Sequence, residues 1–255
     1  MADVVGIIPA RYDSKRLPGK PLALLLDRPM IQHVYQRAAQ AATLKRLVVA
    51  TDDSRIQKAV AQFGGEVLMT SREHLSGTDR VAEAAQHLML TADAIVVNIQ
   101  GDEPLLRAAM IDSLVRNLQE NLDVPMATLA YPDTDTHDLT DPGVVKVVFD
   151  ANGRALYFSR SLIPAVRDSS APPSYHKHLG LYGYRNGFLQ EFTSLSPGVL
   201  EKLEKLEQLR ALEHGFSISV VITPFDSISV DSPEDLARVR KIMEQEQGQT
   251  DPNLQ

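Results

Sequence analysis

The chain contains no cysteine. That excludes a disulfide framework, a thiolate nucleophile and a cysteine-ligated zinc site. No apolar run approaches the roughly 20 residues needed to cross a bilayer, and the N-terminus lacks the basic flank and small-residue cleavage site of a secretory signal. A cytoplasmic protein without a membrane partner is therefore expected. Long basic runs are also missing: 26 Lys and Arg stand against 33 Asp and Glu, a formal charge of −7. This balance argues against a nucleic-acid partner, whose usual footprint is a basic stripe. The GxxxxGK(S/T) phosphate loop, the GxGxxG dinucleotide fingerprint and the GxSxG elbow are all absent. Neither a standard ATPase nor a nicotinamide enzyme is favoured, and covalent catalysis is not suggested.

Against this acidic background one short segment is cationic. Between Pro9 and Pro21 the chain places Arg11, Lys15, Arg16 and Lys20 among Ser14, Pro18 and Gly19, with only Asp13 opposing them. The segment follows Val4-Val5-Gly6-Ile7-Ile8, an apolar run that reads as a buried strand. A cationic loop at the C-terminal end of a parallel strand is where open α/β sheets bind ligands. Gly19 lets backbone N–H groups approach phosphate oxygens while the cations balance charge, which points to a polyphosphate.

Two carboxylates repeat one arrangement. Asp102 lies in Gln100-Gly101-Asp102-Glu103-Pro104, directly after an apolar strand, and Asp231 follows Ile228–Val230 just before Ser232-Pro233-Glu234. Each fits a helix cap. Each also fits a ligand of Mg²⁺, which binds through one or two carboxylates plus substrate phosphates. Ser76-Gly77-Thr78-Asp79-Arg80 opens a helix and suits either capping or an anion or base edge. With one helix over Pro197–His214, Glu207 would lie about 20° from Leu200 and about 40° from Leu203, on the apolar side. A carboxylate there is costly unless paired or functional. In His178–Arg185 the period of two puts His178, Gly180, Tyr182 and Tyr184 on one face, either exposed or the floor of a site.

Strand-like and helix-like segments alternate through the first half. Strands are expected at Val4–Ile8, Arg46–Ala50, Glu66–Met69 and Ala94–Ile99, and helices at Pro29–Ala42, Asp53–Phe63, Thr78–Leu90 and Arg107–Gln119. Such alternation predicts an α/β fold with a mostly parallel sheet. Beyond about residue 125 the rhythm becomes a smaller mixed α+β lobe, with strands at Met126–Tyr131, Val144–Phe149, Ala155–Phe158 and His178–Tyr184 and a hairpin turn at Asn152-Gly153. Residues 165–177 read as a mobile loop, Ser217–Val221 and Ile228–Val230 as further short segments, Pro233–Gln245 as a last helix, and 247–255 as a disordered tail.

The segments IIPARYDSKRLPGKPL, ATDDSRI, SGTDRVAE, VVNIQGDEP, ALYFSRSLIP, HLGLYGYR, LEQLRALEHG and VDSPEDL resemble, in order, the cytidylyltransferases that activate 3-deoxy-D-manno-octulosonate (Kdo) for lipopolysaccharide. The resemblance runs over roughly residues 4–242. It implies a Rossmann-like fold of the nucleotide-diphospho-sugar transferase type and a cytoplasmic homodimer. It also implies Mg²⁺-dependent transfer of CMP from CTP to Kdo with release of pyrophosphate. Residues 1–246 would form one nucleotidyltransferase domain, with about 1–125 binding nucleotide and about 126–230 serving sugar binding and dimerisation. By position, Arg11, Arg16 and Lys20 are similar to triphosphate ligands, shaped by Ser14 and Gly19. Asp102 and Asp231 resemble the metal carboxylates. Gln100, Arg160, His178, Tyr182, Glu207 and Gln208 resemble sugar-acid contacts, with Arg160 or His178 holding the substrate carboxylate, and Ser76, Gly77 and Arg80 resemble part of the nucleotide pocket. Leu26-Asp27-Arg28-Pro29 departs from the family's more usual Gly-Lys turn, and loop 165–177 is shorter than in some members. The same chemistry on an 8-amino analogue or a sialic acid, and a non-catalytic sugar-nucleotide-binding regulator, are the alternatives.

Overall fold

The computed structural model describes residues 3–13, 16–133, 140–165, 167 and 175–250. In chain order its elements are β1 (Val4–Ala10), a 3-10 turn (Lys20–Leu22), β2 (Leu24–Leu25), β3 (Arg28–Pro29), α1 (Met30–Ala38), β4 (Arg46–Thr51), α2 (Ser54–Gln62), β5 (Glu66–Met69), α3 (Gly77–His87), β6 (Ile95–Asn98) and α4 (Ala108–Glu120). They continue with β7 (Met126–Asp133), β8 (Lys146–Phe149), β9 (Ala155–Ser159), β10 (Tyr175–Arg185), α5 (Asn186–Ser194), α6 (Val199–Glu204), α7 (Leu209–Glu213), β11 (Ile218–Ile222) and α8 (Pro233–Thr250). The fold is α/β with a mostly parallel sheet, as the alternation of the first half implies. The chain forms two units. The N-terminal unit holds Val5–Met89, Asn98–Ala109 and the chain from Ser227 on, and the central unit holds Leu90–Val97 and Met110–Asp226 with the first residues.

In the N-terminal unit β1, β4 and β5 pair in parallel, with Ile7 opposite Val48 and Val49 opposite Val67. Ile7, Ile8, Val48 and Val49 are completely buried, because a parallel sheet covered on both faces needs continuous apolar runs rather than alternation. Each such side chain contributes about 1.5–3 kcal/mol through burial. Helices α1 and α2 turn Met30, Ile31, Val34 and Ala38, and Ile56 and Val60, inward at helical spacing. A second cluster of Leu25, Met30, Leu105, Val230, Val239 and Met243 binds α8 to the segment after the first loop. Helix α8 runs to Thr250 rather than stopping at Gln245, and residues 251–255 of the expected tail lie outside the described residues. Ile228–Val230 form no strand. The short β2–β3 hairpin turns at Leu26-Asp27, where the family pattern is departed from, with Leu26 at φ 55° and packed on the second cluster.

In the central unit β11 runs parallel to β7, and β7 is antiparallel to β10. Strand β10 also pairs with β8, whose hairpin with β9 turns at Asn152-Gly153 as the sequence indicates, with Gly153 at φ 73°. Two expectations are corrected here. The single helix over Pro197–His214 is two helices, broken where Lys205 takes a left-handed conformation (φ 56°, ψ 44°) after α6. The cause lies in the partners: Arg210 of α7 folds back on Glu201 of α6 at 2.6 and 2.9 Å, and Glu204 turns away to accept from Ser159 Oγ at 2.6 Å and Arg160 N at 2.9 Å. Tyr175–Lys177 belong to β10 and not to a loop, while residues 166 and 168–174 lie outside the described residues.

Candidate active site

The residues singled out by the sequence fall into two groups, one in each unit. In the N-terminal unit they line a single cleft of about 790 Å³, formed by Arg11, Arg16, Lys20, Ser76, Gly77, Arg80, Gln100, Asp102 and Asp231 with the loop around Tyr12. That volume is in the range of small-molecule sites. Ser14 and Lys15 lie outside the described residues.

The first loop is closed by its own backbone. Gly19 N donates to Tyr12 O at 3.0 Å, and Gly19 sits at φ 69° with the Tyr12 ring 3.1 Å from where a Cβ would be. The Arg55 guanidinium stacks over Tyr12, 3.3 Å from the ring centroid. Arg55 is itself oriented by Asp53, which also caps α2 through Arg55 N at 2.8 Å. Tyr12 and Arg55 were not singled out from the sequence, although an aromatic inside a cationic loop was a usable signal.

Lys20 is the centre of the charge arrangement. Its Nζ lies 2.5 Å from Asp102 Oδ2 and 3.0 Å from Asp231 Oδ1, and Arg16 reaches Asp231 Oδ2 at 3.0 Å. Burial works against the Lys20 ammonium, but Asp102 and then Asp231 outweigh it and hold its pKa above the ordinary lysine value. Burial likewise works to raise Asp231, yet the hydrogen bond and charge of Lys20, with Arg16, hold it below the ordinary carboxylate value. Two carboxylates distant in sequence thus converge on one point charge.

The fold makes this convergence in steps. Gly101 lets the turn after β6 pass the first strand, since a Cβ there would lie 3.1 Å from the Pro9 carbonyl oxygen. Val230 N then donates to Asp102 O at 2.8 Å, which sets Asp231 beside Asp102. The next turn is fixed by the buried Glu103, whose Oε2 accepts from Ser227 Oγ at 2.8 Å. Neither aspartate caps a helix. Ser232 and Asp235 form the capping pair of α8, with Asp235 N donating to Ser232 Oγ at 3.2 Å and Ser232 N to Asp235 Oδ2 at 2.9 Å. The capping alternative is therefore set aside for Asp102 and Asp231.

It holds for Ser76, which accepts from Asp79 N at 3.1 Å while Asp79 Oδ2 accepts from Ser76 N at 3.1 Å, a reciprocal box at the start of α3. Arg80 is buried and committed to the framework, donating to Thr70 Oγ1 at 2.5 Å and Ser71 O at 3.2 Å, with Asp52 at 3.2 Å. Arg11 and Arg16 are exposed on the cleft wall. Gln100 Nε2 reaches Asn98 Oδ1 at 3.5 Å.

In the central unit the rings of Phe158, His178, Tyr182 and Tyr184 follow one another at centroid distances of 5.0, 5.5 and 6.1 Å. The face expected from the period of two is real. Loss of hydration pushes the His178 imidazole down to about 3, so the ring is neutral at neutral pH. A neutral ring offers hydrogen bonds rather than charge, which leaves Arg160 as the cation of the expected pair. Arg160 donates through Nε to Glu204 O and through Nη1 to Pro142 O, both at 2.8 Å. Glu207 is not on a helical apolar stripe, since the break at Lys205 precedes it; it lies 3.6 Å from the Arg210 guanidinium. Gln208 is buried, and among the described residues its Nε2 has no hydrogen-bond partner, which suits an amide donor meeting a ligand. The sequence reading missed Lys146, wholly buried, which donates to the carbonyls of Val144 at 2.6 Å, Arg160 at 2.8 Å and Asp141 at 3.1 Å. A lone lysine inside Val144-Val145-Lys146-Val147-Val148 was the signal.

Comparison with known proteins identifies the family. The cytidylyltransferase family model matches residues 5–220. A 3-deoxy-manno-octulosonate cytidylyltransferase of Syntrophobacter fumaroxidans is 58% identical over 244 residues, covering 95% of this chain and 98% of that protein. An 8-amino-3,8-dideoxy-manno-octulosonate cytidylyltransferase of Shewanella pealeana is 52% identical over 235 residues, covering 92% of this chain and 96% of that protein. A solved structure of CMP:2-keto-3-deoxy-manno-octonic acid synthetase complexed with CTP superposes with a TM-score of 0.90 at 41% identity, covering 96% of this chain and all of that one. The chain belongs to the cytidylyltransferase family.

Proposed function

We propose that this protein transfers CMP from CTP to 3-deoxy-D-manno-octulosonate, releasing pyrophosphate and supplying lipopolysaccharide synthesis. The observation that carries the reading is the convergence of Lys20, Asp102 and Asp231 in a cleft walled by Arg11 and Arg16. The anomeric oxygen of the sugar acid attacks the α-phosphorus. A new P–O bond forms, the bond to the bridging oxygen breaks, and pyrophosphate leaves with that electron pair. Such transfer needs positioning and charge neutralisation rather than a covalent intermediate. Arg11, Arg16 and Lys20 take the charge of the triphosphate and of the departing pyrophosphate. Gly19 and the clamped Tyr12 keep their loop in shape. Ser76, Gly77 and Arg80 complete the nucleotide side, Ser76 and Arg80 chiefly as framework.

The donor set fits Mg²⁺. Two carboxylates already converge on one cation, the Lys20 ammonium, at 2.5 and 3.0 Å, and Mg²⁺ binds through one or two carboxylates plus substrate phosphates. Asp102 and Asp231 would hold it, and when bound it supplies neutralisation of phosphate charge. Gln100, Arg160, His178, Tyr182, Glu207 and Gln208 serve the sugar acid, with Arg160 as the cation for its carboxylate. A homodimer, which the family resemblance implies, is tested by light scattering. No described helix is long and apolar enough to cross a membrane, and a cytoplasmic location follows from the proposed use of CTP.

The relatives named for the 8-amino sugar at 52% identity favour one second reading, the same transfer to that analogue. Pyrophosphate release with CTP, Mg²⁺ and a panel of sugar acids separates them. Release with Kdo supports the proposal, release with the amino analogue alone selects the second reading, and no release with any acid rejects both.

A further inference from the structure

Thr128 is the one hydroxyl residue in the apolar stretch Met126-Ala127-Thr128-Leu129-Ala130 of β7, and it is completely buried. Opposite it, β10 is irregular. Leu179 pairs with Leu129, but the next pair is Tyr182 with Thr128, so Gly180 and Leu181 are extra residues in a bulge. The bulge has a measurable consequence. Residues four apart in a regular strand are separated by about 13 Å, yet the His178 and Tyr182 ring centroids are 5.5 Å apart.

The Thr128 hydroxyl sits inside this bulge. Its Oγ1 lies 2.9 Å from Leu181 O, 3.2 Å from Leu179 O and 3.0 Å from His178 Nε2. A hydroxyl has one proton and two lone pairs, and carbonyl oxygens only accept. The proton therefore goes to the carbonyls, and the ring nitrogen meets a lone pair. Aiming the proton at His178 instead would leave two buried carbonyl oxygens facing the lone pairs of a third oxygen, which is costly.

We propose that Thr128 is a positioning residue for the sugar-acid site: it pins the bulge that brings His178 against Tyr182, and it holds His178 as the Nε2–H tautomer with Nδ1 as a bare acceptor. This rests on His178 contacting the sugar acid in the proposed function. No described residue donates to Nδ1. The edge of Phe158 on one side and Tyr182 on the other keep the ring from turning to exchange its nitrogens. Nδ1 of His178 then accepts a hydrogen bond from a sugar hydroxyl, or from an amine in the same place, and turns a carboxylate away. The carboxylate is left to a cation.

Long-range ¹H–¹⁵N correlation spectra of the full-length protein at pH 7 read the tautomer directly, the His178 signals among seven histidines being those lost in His178→Gln. The expected spectrum has Nε2 protonated and Nδ1 bare; a ring protonated at Nδ1 overturns the proposal without any variant at position 128. In Thr128→Val, which keeps the shape but not the hydroxyl, the tautomer becomes mixed. Its KM for the sugar acid rises about tenfold, the worth of one well-made hydrogen bond, while its KM for CTP stays put. Thr128→Ser restores both readings. A valine variant with the wild-type tautomer and KM also overturns it. The spectrum needs no substrate, so a correct tautomer in a protein inactive toward every sugar acid rejects the functional reading and leaves the bond from His178 to Thr128 standing.

Discussion

The two groups of candidate residues are built from opposite materials. In the N-terminal unit three charged side chains from distant parts of the chain, Lys20, Asp102 and Asp231, meet at 3.0 Å or less in an open cleft. In the central unit a neutral imidazole stands in a row of rings, oriented by a buried hydroxyl and two carbonyls. A triphosphate is recognised by charge, which tolerates small displacements and neutralises what develops in the reaction. A sugar is told from its relatives by single hydrogen bonds, because a buried polar group left unpaired is penalised heavily. In the proposed function one region supplies strength and the other discrimination.

The comparison breaks most visibly at the carboxylates. Asp102→Asn removes a charge from the convergence point and lowers turnover by at least ~10²-fold, with the KM for the sugar acid little changed; near-normal turnover in a steady-state assay would remove Asp102 from the chemistry. Gly19→Ala probes the loop that carries the cations. Its φ of 69° and the Tyr12 ring at 3.1 Å leave no room for a methyl group, so denaturant unfolding should show a loss of about 1–2 kcal/mol and CTP should bind more weakly. In the other unit, Lys205→Gly relieves an exposed left-handed residue at the break after α6. Thermal unfolding should show a gain of about 1 kcal/mol with no change in KM for CTP.

The smallest effect concerns pH. Asp231 has a folded pKa held below its ordinary 3.8. Its contribution is therefore present above the unfolded value and lost as pH falls through the folded one. The difference in melting temperature between wild type and Asp231→Asn should stay level from pH 8 to 5 and narrow only below about pH 4.

The charged region was largely legible. A cationic loop after a buried strand and two aspartates after apolar segments are local patterns, and each sits where those patterns put it. That both aspartates meet Lys20 was not readable, because it depends on Val230 N bonding to Asp102 O across the fold. The neutral region was legible in its alternation and not in its distances. A bulge of two residues preserves the period of two, so His178 and Tyr182 share the expected face while standing much closer than a regular strand allows. Glu207 leaves the expected apolar face for a different reason. A helical wheel requires continuous helix, and the pairing of Glu201 with Arg210 stabilises a break that the leucine spacing conceals.

The division of labour is tested most directly by measuring both Michaelis constants in two variants, Arg16→Ala and His178→Ala. The charge–shape account predicts a crossed result: Arg16→Ala raises the KM for CTP about tenfold and leaves that for the sugar acid, and His178→Ala does the reverse. Both variants raising the same constant would contradict it.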